Sequence, residues 1–357
     1  MERVGNTVAR LPRFAASVVG SMPRSQLVRD LLEEPAEAPG RAAAMDAAVA
    51  YVLALQEAAG LDVVSDGEWR RRSYIGVIAE IMHGFVRETR DGLSWHTVVA
   101  PMTPRRPGLL GEEARFLVAR ARCATKVALP SPYLLGQRMW DPARSRGAYP
   151  TREAFMRALV PVLRAELFAV RAAGVTVAQF DDPHLCLLAD PRVRAEHANP
   201  DAEAALCVDL LNEIADGVDG IQTAVHLCRR NKGRGGWIGE GGYDPIVPAL
   251  RRLRVDQYVL EFTIPVAGDF AVLRRLPDDR QIGLGCVDCR GAQVDGPAAI
   301  VARVEEALRH VDAARVSLNP DCGFAPGSAA DIPVDEAYAK LRNEALAARI
   351  LRDRHPV

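Results

Sequence analysis

Short β-branched runs alternate with long helical patterns along the whole chain, and this rhythm restricts the fold more than any other feature. Eight candidate strands can be counted, at residues 15–19, 62–65, 125–129, 175–180, 221–225, 257–262, 281–286 and 315–318. Helical patterns at 42–59, 152–173, 201–216, 245–252, 298–310 and 334–352 fill most of the intervals. The helix from Arg152 shows the logic: Thr151 is a suitable N-cap, Glu153 falls in the first turn, and Phe155, Ala158, Leu159 and Val162 recur at helical spacing until Gly174. Eight βα units predict an α/β architecture, a closed (β/α)8 TIM barrel, as one domain over residues 1–357. Residues 81–107 break the rhythm. With Trp95, His96 and the Pro-rich run 101–107, they are expected to form a hairpin or lid excursion at the barrel mouth.

Composition removes several classes of function. Lys and Arg number 45 against 46 Asp and Glu, so no polybasic surface exists for nucleic acid. The longest unbroken apolar run, residues 47–55, is nine long and falls short of the ~20 needed to span a bilayer, so no membrane partner is expected. Arg13 interrupts the apolar stretch near the N-terminus, which argues against a secretory signal. Seven dispersed cysteines suit a reducing compartment, and a cytoplasmic location is expected. The expected partners are small molecules; nothing in the composition predicts an oligomeric state.

In such a barrel the functional side chains gather where the strands end. Those positions carry Gly20-Ser21, Asp66-Gly67-Glu68, Asp181-Asp182-Pro183, His226-Leu227-Cys228, Glu261, Cys286 to Arg290, and Asn319-Pro320-Asp321-Cys322-Gly323. Residues one apart on an extended segment point the same way, so His226 and Cys228 can face one ion. Glu261 and Cys322 can join them from neighbouring strand ends, which makes one N, two S and one O donor suited to tetrahedral Zn²⁺. The plain alternative is a core histidine with packed thiols.

The stretches Val18 to Arg24, Gly60 to Glu68, Gln179 to Pro183, His226 to Cys228 and Asn319 to Phe324 resemble, in order, the catalytic domain of cobalamin-independent methionine synthase. The resemblance spans residues ~15–326 and implies a zinc-bearing barrel in which a substrate thiol meets zinc and attacks an alkyl donor. It implies His226, Cys228, Glu261 and Cys322 as the zinc ligands. Ser21 is implied for the substrate carboxylate, and Glu68 and Asp181, the candidate catalytic residues, for its ammonium. Their alternative reading is as rim carboxylates paired with Arg70, Arg71 and Arg72. The expected activity is transfer of a methyl or other alkyl group to a small thiol, homocysteine first. Thiol addition to an epoxide and a non-catalytic zinc- or thiol-binding protein are the alternatives.

Departures from that family are informative. Asp182 stands where the family usually has Glu, and Arg290 stands where the methionine synthases carry a His at the strand-seven loop. A guanidinium that stays charged is a poor proton donor, so methyltetrahydrofolate is in doubt as donor. The loop after the first two ligands offers Arg229, Arg230, Lys232 and Arg234 to an anionic substrate tail, and Trp237 and Tyr243 either wall a donor pocket or anchor a Gly-rich loop. Arg290 is likewise a candidate substrate contact. Cys286 and Cys289 are read as a redox pair or a second soft-metal contact, against the plain alternative of packed thiols. His83, His96, His184 and His310 show no partner pattern.

Overall fold

In the computed structural model, which describes residues 11–90, 93–325 and 332–356, seven parallel strands curl into a barrel. The strands are β1 (Val63–Val64), β2 (Met82–Arg90), β3 (Leu93–Pro104), β4 (Ala124–Pro130), β5 (Val177–Asp181), β6 (Gln222–Leu227), β7 (Gln257–Leu260), β8 (Gln281–Val287) and β9 (Val316–Pro320). The parallel sheet runs β1-β4-β5-β6-β7-β8-β9. Ala16 bridges Leu318 of β9 and Ser17 bridges Val63 of β1, both in parallel sense, so the run at 15–19 closes a (β/α)8 barrel. It closes it with isolated bridges. The Asp62 carboxylate accepts from the Ala16 N–H at 2.9 Å, and the Ser17 N–H donates both to the Leu318 carbonyl of β9 and to the Glu344 carboxylate, each at 3.0 Å.

The strands lie within two or three residues of their expected positions; β5, β6, β8 and β9 end one or two residues later than expected, and β7 ends two residues earlier. Asp181, Leu227 and Pro320 are the last residues of β5, β6 and β9. Residues at the mouth are thereby set by the sheet register, which pairs Asp181 with His226 and His226 with Val259. Every residue of β5 and β7 is buried, as befits parallel strands covered on both faces.

The helix Arg152–Ala172 starts at Thr151, whose hydroxyl accepts from the Ala154 N–H at 3.0 Å, and is followed by Gly174 at φ +87°. Helix Arg41–Ala59 is long and apolar enough to cross a membrane by length and composition. It directs Met45, Val49, Val52 and Leu53 into the core and packs on the helix Val334–Arg354, as an outer barrel helix does. Short helices at Val77–Ile81, Leu109–Val118, Pro132–Met139 and Pro183–Leu187 were not apparent from periodicity, because several are only one or two turns long.

The irregular segment folds as an antiparallel hairpin of β2 and β3, inserted between β1 and the helix Leu109–Val118. It is fastened by Phe85 against Phe155, by the Ser145 hydroxyl donating to the Val98 carbonyl at 2.6 Å, and by the Met102 N–H donating to the Tyr149 hydroxyl at 2.8 Å.

Candidate functional site

His226 sits on β6, Cys228 just beyond it, and Cys322 two residues past β9. Their ligating atoms all lie within 4.8 Å of one another, and all three residues are buried. The two sulfurs are 3.6 Å apart, with Cys322 donating to Cys228. His226 Nδ1 faces the Val259 carbonyl at 3.3 Å, while its buried Nε2 has no partner. A proton held on Nδ1 by that carbonyl leaves Nε2 free as a donor atom for an ion.

Electrostatics inside the cluster are strongly coupled. The hydrogen bond from Cys322 drives the Cys228 thiol well below the ordinary range against the cost of burial, and His226 adds to the effect. The Cys322 thiol moves up in consequence. Burial lowers the His226 pKa, but the neighbouring Cys228 outweighs it and the net shift is upward. Two thiolates at ~2.3 Å from a tetrahedral Zn²⁺ stand about 3.8 Å apart, close to the separation found, and the orphaned imidazole nitrogen supplies the third donor. The N, S, S set fits the ion.

Glu261, the fourth expected ligand, stands beside this cluster with its carboxylate already engaged. One oxygen accepts from Arg290 Nη2; the other accepts from the Arg229 N–H at 2.7 Å and lies 3.5 Å from Arg229 Nη1. Burial pushes the Glu261 carboxyl up to about 7 even though Arg290 pulls it down.

Arg290 therefore does not present a free guanidinium to a substrate: it is buried, and it also lies 3.4 Å from Asp321. Tyr243 requires a similar correction. It is 1% exposed, and its hydroxyl accepts from the Glu261 N–H at 2.8 Å and donates toward the Leu227 and Glu261 carbonyls at 3.1 and 3.2 Å. It is a strut under the Glu261 turn and lines no pocket, because the only polar atom of its side chain is consumed by backbone. Trp237 is half-buried, and its backbone bridges that of Asn231. Among the loop cations, Arg229 is buried against the Gly241 and Ala267 carbonyls with its guanidinium 4.1 Å above the Tyr243 ring, and Arg234 pairs with Glu336.

Ser21, Glu68 and Asp181 stand beside this cluster, with Asp181 the register partner of His226 and Ser21 against Gly323, the neighbour of Cys322. The Ser21 hydroxyl accepts from the Ala325 N–H at 3.2 Å, and a Cβ on Gly323 would come within 2.2 Å of it, so glycine is required there. Gly20 likewise makes room for the Glu68 carboxylate, which a Cβ would meet at 2.5 Å. Glu68 itself adopts φ +56°, an uncommon conformation for a side-chain-bearing residue.

Neither carboxylate has an ion-pair partner among the described residues. Arg70 pairs with Asp46, Arg71 with Glu113 at 2.9 Å, and Arg72 approaches Glu33. Burial pushes Glu68 up to about 7, with Arg71 opposing and Asp181 adding. Burial pushes Asp181 up to about 6, opposed by His226 and by the Gln179 amide that donates to it at 2.8 Å. Two buried carboxylates without an ion-pair partner among the described residues are raised by burial, and the charge of each opposes ionisation of the other. Asp182 is spoken for: it caps the helix Pro183–Leu187 through the Leu185 N–H and accepts from Ser131 and Cys207.

Cys286 and Cys289 do not form a pair. Cys286 Sγ faces the Asn319 carbonyl and Cys289 Sγ faces the Asn231 amide, and burial pushes both thiols up, Cys289 to about 12. The sequence reading missed Tyr74 and Arg138, both at this mouth, and discounted His184. No spacing rule singles these residues out, since they come from separate βα loops.

Fold and site together describe a (β/α)8 barrel whose C-terminal mouth sets a His-Cys-Cys ligand cluster beside two buried carboxylates. The chain belongs to the family of the cobalamin-independent synthase catalytic domain, whose model matches residues 14–349. It is 28% identical over 355 residues to the uncharacterized protein YxjH of Bacillus subtilis, covering 92% of each chain. It is also 28% identical over 356 residues to a methionine synthase of Pyrococcus abyssi, covering 96% of this chain and 94% of the relative. Among solved structures, a B12-independent methionine synthase from Shewanella in complex with selenomethionine superimposes with a TM-score of 0.81 at 22% identity, covering 96% of this chain and 99% of the other.

Proposed function

We propose that this chain, acting as one barrel domain, is an alkyltransferase that moves a methyl or other alkyl group onto a small thiol, with homocysteine as the first candidate. The observation that carries the reading is the placement of the His226, Cys228 and Cys322 cluster beside Glu68 and Asp181, which have no ion-pair partner among the described residues. A thiol bearing an amino-acid head needs both halves. The archaeal relatives called methionine synthase support the same reading.

His226, Cys228 and Cys322 would hold Zn²⁺, with Glu261 beside them. Bound there, the ion would lower the pKa of an incoming thiol and keep its sulfur a nucleophile at neutral pH. Glu68 and Asp181 accept hydrogen bonds from the substrate ammonium, and Ser21 meets its carboxylate, so the zwitterion is oriented by charge at both ends. Binding a cation also favours the ionised forms of the two carboxylates, whose pKa values burial has raised.

A second reading is favoured by one observation. In the loop after β8 the polar side chains are engaged: Arg290 is ion-paired, and the Asp288 carboxylate accepts from the N–H groups of Arg290 and Gly291 at 2.8 and 2.9 Å. A donor that needs no proton on a folate nitrogen, such as an epoxide, suits that loop better.

The test is anaerobic incubation of the zinc-loaded protein with homocysteine and a series of methyl donors and epoxides, followed by mass spectrometry. An S-alkyl product that requires the protein is expected. Absence of product with every donor and thiol would leave a zinc- or thiol-binding protein.

A further inference from the structure

The segments that follow the three adjacent parallel strands β4, β5 and β6 each carry one nitrogen-bearing residue with a half-buried side chain, Arg138, His184 and Arg230. Arg138 lies in the last turn of the helix Pro132–Met139 that follows β4, and its guanidinium stacks 4.1 Å above the Trp95 ring of β3. His184 lies on the helix Pro183–Leu187 that follows β5 and packs on the former helix; its Nε2 is buried with no partner. Arg230 follows β6, two residues beyond Cys228, and holds a left-handed φ of +59°.

Among the described residues neither Arg138 nor Arg230 meets a carboxylate, in contrast to Arg152 with Glu203 and Arg234 with Glu336. The groups sense one another. Burial and then Arg230 pull the Arg138 pKa down to about 10, and burial, Arg230 and Arg138 pull His184 down to about 3. Burial, chiefly, raises the Tyr74 hydroxyl, with Cys228 and Asp181 adding and Arg230 and Arg138 opposing. Two half-buried guanidiniums that repel each other beside a neutral imidazole lack only an anion.

We propose that Arg138, Arg230 and His184 form a subsite for an oxyanion group, carboxylate, phosphate or sulfonate, carried by the alkyl donor. The assignment to the donor rests on the alkyltransferase reading, because Ser21 already serves the carboxylate of the thiol substrate. Anion capture itself does not, and requires neither metal nor thiol.

The experiment is a calorimetric titration of the metal-free protein with sulfate and with phosphate at constant ionic strength, paralleled by tryptophan fluorescence. Saturable binding is expected, with a fluorescence change that Trp95→Phe removes while the heat remains. Arg138→Gln and Arg230→Gln should each weaken binding at least about tenfold, the loss of one charge-assisted contact. Each should also raise the melting temperature of the ligand-free protein, because an uncompensated like charge is gone. Loss of binding in a more stable variant is then not unfolding, and Arg138→Met serves as a second variant.

Titrations that never saturate, or Arg variants that bind as the native protein does, overturn the subsite. So does equal weakening in Arg234→Gln, which would reveal mere sensitivity to net charge. Saturable binding without any S-alkyl product would remove the alkyltransferase reading and leave the anion site standing. Product formation without saturable binding would do the reverse.

Discussion

Arg290 and Glu261 form an ion pair in which the carboxylate is fully buried and the guanidinium is 4% exposed. The pair is extended by Asp321, which accepts from the Phe262 and Thr263 N–H groups, and by the Arg229 N–H on the second Glu261 oxygen. Removing one partner of a buried pair strands the other, at a cost of about 3–5 kcal/mol. Arg290→Met is therefore expected to destabilise the metal-free protein by that amount in urea unfolding. The double variant with Glu261→Gln should recover a substantial part. Strictly additive losses would show that the two residues do not act as a pair.

Metal retention should depend on the sulfurs more than on Glu261, because among the described residues His226, Cys228 and Cys322 are the group whose ligating atoms come together. Cys322→Ala and Cys228→Ser are expected to lower the zinc content of purified protein well below one ion per chain, and Glu261→Gln to lower it less. Elemental analysis reads this directly. One tightly retained zinc in Cys322→Ala would move the site elsewhere.

Glu68 trades stability for binding. Burial raises its pKa from 4.5 to about 7, so the folded state holds this proton more tightly than the unfolded chain does. Its contribution is fully present below pH 4.5 and is lost as pH rises to about 7. At ~1.4 kcal/mol per unit this amounts to about 3 kcal/mol. Glu68→Gln should therefore be more stable than the native protein above pH 7, lack that part of the pH slope, and bind an amino-thiol less tightly. Chemical denaturation across pH 4–8 with calorimetric thiol binding checks both halves.

Tyr243→Phe removes three backbone contacts at the Glu261 turn without opening a pocket. A loss of about 1–3 kcal/mol in stability is expected, the cost of unpaired buried backbone groups. The KM for the alkyl donor should change little. A large rise in that KM with unchanged stability would restore Tyr243 to the donor pocket.

Eight β-branched runs and the residues at their ends were enough to define the barrel, because each alternation of strand and helix is a local pattern of burial. The ligand triad was legible for a related reason. His226 lies near the end of β6 with Cys228 just beyond it, and Cys322 stands two residues past the end of β9. Partner choice was not legible. Glu261, Arg290, Asp321 and Arg229 are each a plausible ligand or substrate contact when read singly, and only the parallel register packs them into one buried network where their charges satisfy one another. The same holds for Arg138, His184 and Arg230, which are separated by more than forty residues in each step along the chain and become neighbours only where β4, β5 and β6 end. A local pattern specifies which face of an element is buried, whereas the pairing of charges depends on distances across strands that the chain connects only through whole helices.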